Sequence, residues 1–237
     1  MPRVARMNCD GCFVHVMNRR VDRQCLFQNV HDYEEFSSII GWYQEQFSLE
    51  ITAWCLMPNH WHLIVKPVTT LQLSKCMHGI QSTHAISIRR RTETSGEGAI
   101  YGQRFKGFCI HFDRLLKTVV YVERNPVKAG LVQNATAWPF SSAKKLIHQF
   151  QSPRVLRLPL ELERHRTKLL MEPLSEEFEL AFKQSIRRGS LLEACGNDME
   201  DLEIKKNPGK AITITKYLVE TKVSKMLVSK AKMRGGE

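Results

Sequence analysis

Apolar residues along this chain alternate in short runs and recur at helical spacing in longer ones. Residues 11–17 (GCFVHVM) predict a first strand, followed by the basic loop NRRVDRQCLF. Phe36, Ile39, Ile40 and Tyr43 share one helical face, so a helix is expected over 31–47. Residues 49–57 (LEITAWCLM) read as a second strand and His60–Val65 as a third, with the Pro58-Asn59 turn making a hairpin of them. A long helix with a basic end is expected over 71–91, then a glycine-containing loop. Residues 105–112 (FKGFCIHF) give a fourth strand, and Asp113 is placed to cap a helix from Arg114 to Glu123 or beyond. Pro126 falls near the end of that helix or at a kink in it.

The order β-α-β-β-α-β-α predicts an α+β, ferredoxin-like split βαβ fold with an antiparallel sheet and an added helix. The chain of 237 residues, 43% hydrophobic, divides on this pattern at about residue 145. Residues 146–237 form a basic C-terminal extension, with a helix over 174–190 and an irregular Lys-rich tract from Lys205.

The period also places chemistry. Successive strand residues face opposite sides, so His60 and His62 point the same way and Trp61 points into the core. Tyr121 and Asn125 are one helical turn apart and share a face. Two imidazoles opposed by a phenol and an amide have the means to bind a divalent metal and cut a phosphodiester. Oxygen ligands favour Mg2+ or Mn2+, whereas imidazoles alone would suit zinc. Ordinary half-buried strand histidines and a packing tyrosine remain the plain alternative. His15, His78, His84 and His111 lack such spacing and read as structural or solvent-facing. Asp32, Glu34, Glu35 and Asp113 read as helix-start acids.

A net charge of +11 and a pI near 9.4 favour a polyanionic partner, nucleic acid before membrane. Arg19, Arg20 and Arg23 follow the first strand, Arg89, Arg90 and Arg91 end the long helix, and Arg104 and Lys106 flank Phe105. With Arg187 and Arg188, these are the candidate DNA contacts, and Tyr101, Phe105 and Trp138 are candidate stacking surfaces. No apolar run is long enough for a membrane span and no signal region opens the chain, so a cytoplasmic protein is expected. Among seven cysteines, Cys9 and Cys12 form a C-x-x-C pair that fits half a zinc site or a redox pair. Most of the others read as small buried hydrophobes.

Four strings, CLMPNHWHLIVKP, IYGQRFKGF, VVYVERNPVKAGLV and WPFSSA, occur in series between Cys55 and Ala143. Together they resemble the single-tyrosine HUH transposases of the insertion-sequence-200-like family, and most of all its bacterial REP-associated branch. The resemblance implies a metal-dependent endonuclease and strand transferase acting on single-stranded DNA near REP-like hairpins. It implies Tyr121 as the nucleophile that becomes joined to a 5′ phosphate, and His60, His62 and Asn125 as metal ligands. The branch's usual aromatic-Gly…Trp continuation is replaced here by LLEACGNDMEDLEIKK, which leaves the role of the tail open. Two other classes stand beside this reading. One is a catalytically silent hairpin-binding protein or repressor on the same fold. The other is an RNA-binding module, which would want exposed aromatics where histidines stand.

Overall fold

The computed structural model describes residues 8–21, 23–94, 98–144, 153–156 and 160–189. The Lys-rich tract expected from Lys205 lies outside them. Four strands, β1 (Phe13–Arg19), β2 (Glu50–Met57), β3 (His60–Lys66) and β4 (Lys106–Ile110), form one antiparallel sheet in the order β2-β3-β1-β4. This is the expected α+β fold. Helices α1 (Val30–Phe47) and α2 (Thr70–Thr92) connect the strands on one face. Helices α3 (Leu115–Glu123), α4 (Asn125–Lys128), α5 (Leu160–Met171) and α6 (Glu176–Arg188) follow β4.

Local chemistry sets the helix ends. Asn29 accepts from the Asp32 amide at 3.1 Å while the Asp32 carboxylate accepts from the Gln28 amide at 2.7 Å, so two otherwise unpaired donors are satisfied. Thr69 caps α2 through the Gln72 amide, and Ser175 caps α6, whose first turn holds Glu176, Glu177 and Glu179. Asp113 does not cap α3. It lies in a 3-10 turn over Phe112–Arg114, within 3.2 Å of His111, and α3 starts at Leu115.

Period-two alternation divides the sheet. Val14, Val16, Trp61, Leu63 and Val65 belong to the core beneath α1 and α2, where Phe36 packs 6.0 Å from Trp61. The two helices approach closely at Gly79, where a Cβ would meet the Tyr43 ring at 2.1 Å. His15, His60, His62 and Phe108 face the other way, toward the helices that follow β4. There α5 packs on α3, and α6 reaches β4. Both helices lie in the same compact unit as the sheet.

Residues 138–142 run along the outer edge of β2, with Phe140 and Trp54 carbonyls accepting from the Leu56 and Ser142 amides at 2.9 Å. The Trp138 indole donates to the Leu56 carbonyl at 2.9 Å, so this ring braces the sheet rather than standing free for a base. Tyr101 is likewise occupied, by Trp61 at 3.2 Å and His84 at 2.6 Å. Among the described residues, no helix is long and apolar enough to cross a membrane.

Candidate active site

The hairpin turn between β2 and β3 delivers His60 and His62 to one face, with ring centroids 4.9 Å apart. The His60 Nδ1 lies 2.6 Å from the Asn59 Oδ1, an acceptor, so it carries the proton and leaves the Nε2 lone pair available. The His62 Nδ1 lies 2.9 Å from the His15 Nε2. With the proton on His62 Nδ1, its Nε2 keeps a lone pair, and that atom is buried without a hydrogen-bond partner. His15 Nδ1 and His84 Nε2 are also buried without a partner, and what sets the His62 Nε2 apart is the second imidazole, His60, beside it on the same strand face.

All three imidazoles are neutral at physiological pH. Burial, and then the nearby Arg19, pull His60 down to about 4. Burial holds His15 at about 3. His62 is held well below its ordinary range by burial, then by His60, His15 and Arg19. Neutral rings are what a cation requires of its ligands.

Helix α3 ends at Glu123, and Pro126 lies in the first turn of α4, so the catalytic-helix pattern is broken rather than continuous. Asn125 bridges the break: its Nδ2 donates to the Tyr121 carbonyl at 3.0 Å and to the Val122 carbonyl at 3.1 Å. The amide nitrogen is thereby committed to the backbone, and the oxygen is the atom left to act as a ligand. Among the described residues, no three His, Cys, Asp or Glu side chains are grouped to hold a metal.

Tyr121 is buried, 6% exposed. Its ring lies 3.8 Å from Phe182 of α6, and Phe182 in turn packs 5.0 Å from His15. Lys128 Nζ sits 4.2 Å from the Tyr121 ring centroid and pairs with Glu179 of α6 at 2.5 Å. Burial, and then Glu179, push the phenol up to about 12, so Tyr121 is protonated in this arrangement.

The candidate DNA contacts fall into separate places. Arg104, Lys106, Arg187 and Arg188 line one cavity between β4 and the end of α6. Arg19 lies opposite His60 in the β1–β3 register. Arg20 donates to the Cys25 carbonyl at 3.0 Å, and Arg23 occupies a left-handed turn with φ 62°. Arg91 is used internally, pairing with Asp32 at 2.9 Å and with Glu35 at 3.3 Å.

Residues 8–125 match the family model described as "Transposase IS200 like". The chain belongs to the IS200-like transposase family. The fold of this transposase is also that of a REP-associated tyrosine transposase solved bound to a REP hairpin, at 24% identity and a TM-score of 0.50. That match covers 67% of this chain and 95% of the other. A candidate transposase from Deinococcus radiodurans R1 aligns at 16% identity and a TM-score of 0.35, over 52% of this chain and 94% of that one. No curated protein matches this transposase.

Several residues around the candidate site carry little signal in the sequence. His15, expected as structural or solvent-facing, is buried against His62. Its signal was parity, because in the observed register it shares a face with the residues flanking Trp61. Phe178, Phe182 and Glu179 have no comparable signal, since only tertiary packing brings α6 onto Tyr121, whereas Lys128 follows Tyr121 by seven residues, two helical turns. Glu123 also escaped notice. It is fully buried and held by Arg166 of α5, with Nε–Oε2 at 2.8 Å and Nη2–Oε1 at 2.6 Å.

Proposed function

We propose that this transposase cuts and rejoins single-stranded DNA beside a hairpin, through a covalent bond between Tyr121 and the 5′ phosphate. His60, His62 and Asn125 are the ligands for a divalent ion, Mg2+ or Mn2+. The observation that carries this reading is the unpartnered Nε2 of His62, buried on the strand face that also presents His60. A divalent ion bound there polarises a phosphate oxygen and offsets the charge that develops on it.

The chemistry of the chain itself follows. The Tyr121 Oη forms the new bond to phosphorus, the bond to the 3′ oxygen breaks, and that oxygen leaves with the proton that the phenol gives up. Bond energy is conserved in the phosphotyrosine, so the reverse attack by a 3′ hydroxyl rejoins strands without ATP. A phenol of ordinary pKa about 10 is a weak nucleophile at neutral pH and needs a cation nearby. Lys128, 4.2 Å from the ring centroid and paired with Glu179, is the cation nearest the phenol, and a divalent ion held by the neutral ligands would supply the rest of the positive charge. REP-like palindromes are the proposed DNA, in keeping with the family and with the hairpin carried by the structural relative.

A second reading, a silent hairpin-binding repressor, is favoured by one observation: Phe182 covers the Tyr121 ring. One experiment separates the two. Wild-type protein with divalent ion and a hairpin oligonucleotide bearing single-stranded flanks should yield an adduct that survives denaturation and carries the 5′ phosphate. Tyr121→Phe should yield none while still binding the hairpin. Hairpin binding by the wild type with no adduct under any divalent ion establishes the repressor reading. Cleavage by the Phe variant at the wild-type rate makes a water the nucleophile.

A further inference from the structure

Strand β4 is an edge of the sheet, and its outer side meets the C-terminal end of α6. Between them opens a cavity of about 320 Å3, near the lower end of the roughly 300–1,000 Å3 typical of small-ligand sites. Its floor is apolar, formed by Val14, Leu73, Phe105 and Ile186 among others. Its rim carries Arg104, Lys106, Arg187 and Arg188, all exposed. Among the described residues no Asp or Glu lines it, and four cations face the opening. Gly189, with φ 65°, is the left-handed cap that ends α6 just after the Arg187-Arg188 pair, and it lines the cavity with them.

An apolar floor beneath a purely cationic rim selects an anion with a flat apolar part, and a nucleotide is such a molecule. Position argues that the nucleotide belongs to a strand. Phe108 lines the cavity and also packs 5.0 Å from the His15 ring, so cavity and histidine face share a wall. On α6, Phe182 touches Tyr121 and Ile186 lines the cavity, one helical turn or about 6 Å further along.

We propose that this cavity is a subsite for one unpaired nucleotide of the DNA strand, close to the bond that is cut. The base lies on the apolar floor, and the flanking phosphates meet Arg104, Lys106, Arg187 and Arg188. The inference rests on the DNA-cutting reading above. It adds that the protein reads a base, and not the backbone alone, beside its nucleophile.

The test uses the full chain and two probes of equal length, oligodeoxythymidine and an oligomer of the same phosphates with abasic sugars. Wild type should prefer the thymidine oligomer by about five- to a hundredfold, the range of a base held by stacking and apolar contact. Ile186→Trp, which fills the floor, should abolish that preference and leave affinity for the abasic oligomer within about twofold, a size at which surface substitutions usually stay. Ile186→Glu, which sets a carboxylate in the half-exposed wall, provides a second variant should the tryptophan disturb folding, and should weaken both probes. The double change Arg187→Ala with Arg188→Ala should weaken both probes and lower the salt slope by about 0.7 for each phosphate no longer neutralised. Equal affinity of wild type for both probes overturns the subsite, as does a base preference that survives Ile186→Trp. Displacement of thymidine monophosphate from the same cavity with no strand preference would assign it to free nucleotides instead. Failure of wild type to bind either probe would remove the DNA reading itself, a result distinct from binding without base preference.

Discussion

Replacing Arg166 by methionine should unfold this protein at a markedly lower temperature. The guanidinium holds the fully buried Glu123 through two bonds, at 2.8 and 2.6 Å. It also donates to Glu163 at 2.9 Å and to the Ser142 carbonyl at 2.9 Å. Without it, the Glu123 carboxylate keeps only the Ser142 hydroxyl, at 2.6 Å. Breaking a buried pair from one side costs about 3–5 kcal/mol, because a charge is left in a poorly polarisable interior. For a domain of this size each kcal/mol moves the midpoint by about 2–4 °C, so the drop should be about 6–20 °C. The double variant Arg166→Met with Glu123→Met removes both charges and should recover most of the loss. Thermal melts of the four proteins by circular dichroism give the coupling energy directly. An Arg166→Met midpoint within about 2 °C of wild type would refute the argument. So would a double variant whose loss equals the sum of the singles, since the pair would then be uncoupled. The test bears on the proposed function too, because Glu123 stands two residues after Tyr121 and anchors α5 to the helix that carries it.

Three further outcomes are expected. Mg2+ or Mn2+ should raise the melting temperature of the wild type but not of His62→Ala, and adduct formation should be lost in the variant; an unchanged metal-induced shift would remove His62 from the ligand set. His84 is pulled down to about 3 by burial and then by Arg91, so its neutral form is the one the fold stabilises. Stability is therefore complete above its ordinary pKa and falls as pH drops from about 6.5 toward 3, by up to about 1.4 kcal/mol per pH unit. His84→Gln should flatten that slope in urea titrations, and equal slopes would reject the assignment. Phe182→Ala removes a fully buried ring, which should cost about 3–5 kcal/mol and speed adduct formation by uncovering Tyr121; slower adduct formation would mean that α6 supports the nucleophile rather than shielding it.

The sheet is legible because its strands are short apolar runs bounded by turn signals such as Pro58-Asn59, although β2 and β3 are buried on both faces. His60, His62 and Trp61 were placed on their correct sides by the period-two alternation of a strand. The face shared with His15 was written in the sequence only as parity, which needs the pairing register before it can be used. The β4 boundaries were shorter than expected, Lys106–Ile110, because Phe105 turns into the cavity and His111 precedes the 3-10 turn. Asp113 looked like a cap because of its place before an apolar run, but its carboxylate is taken by His111. The contributions of α5 and α6 to the site were not legible. Glu123 meets Arg166 and Tyr121 meets Phe182 across long stretches of chain, and no local period relates such partners. The four rim cations were visible singly, and only folding brings them around one cavity.

Along β3 two inheritances share seven residues. Trp61, Leu63 and Val65 hold the strand in place from one side, while His60 and His62 stand on the other with no part in that core. A single codon change at His60, or the exchange of one oxygen at Tyr121, leaves the scaffold standing. On the reading proposed above, lineages descended from this gene can lose cutting at one position and keep the fold for as long as the inner side is maintained. Selection for the fold guards only one side of the strand, and selection for cutting must guard both. The two sides keep separate histories, and comparing how fast each has changed among descendants would reveal whether a host has retained cutting.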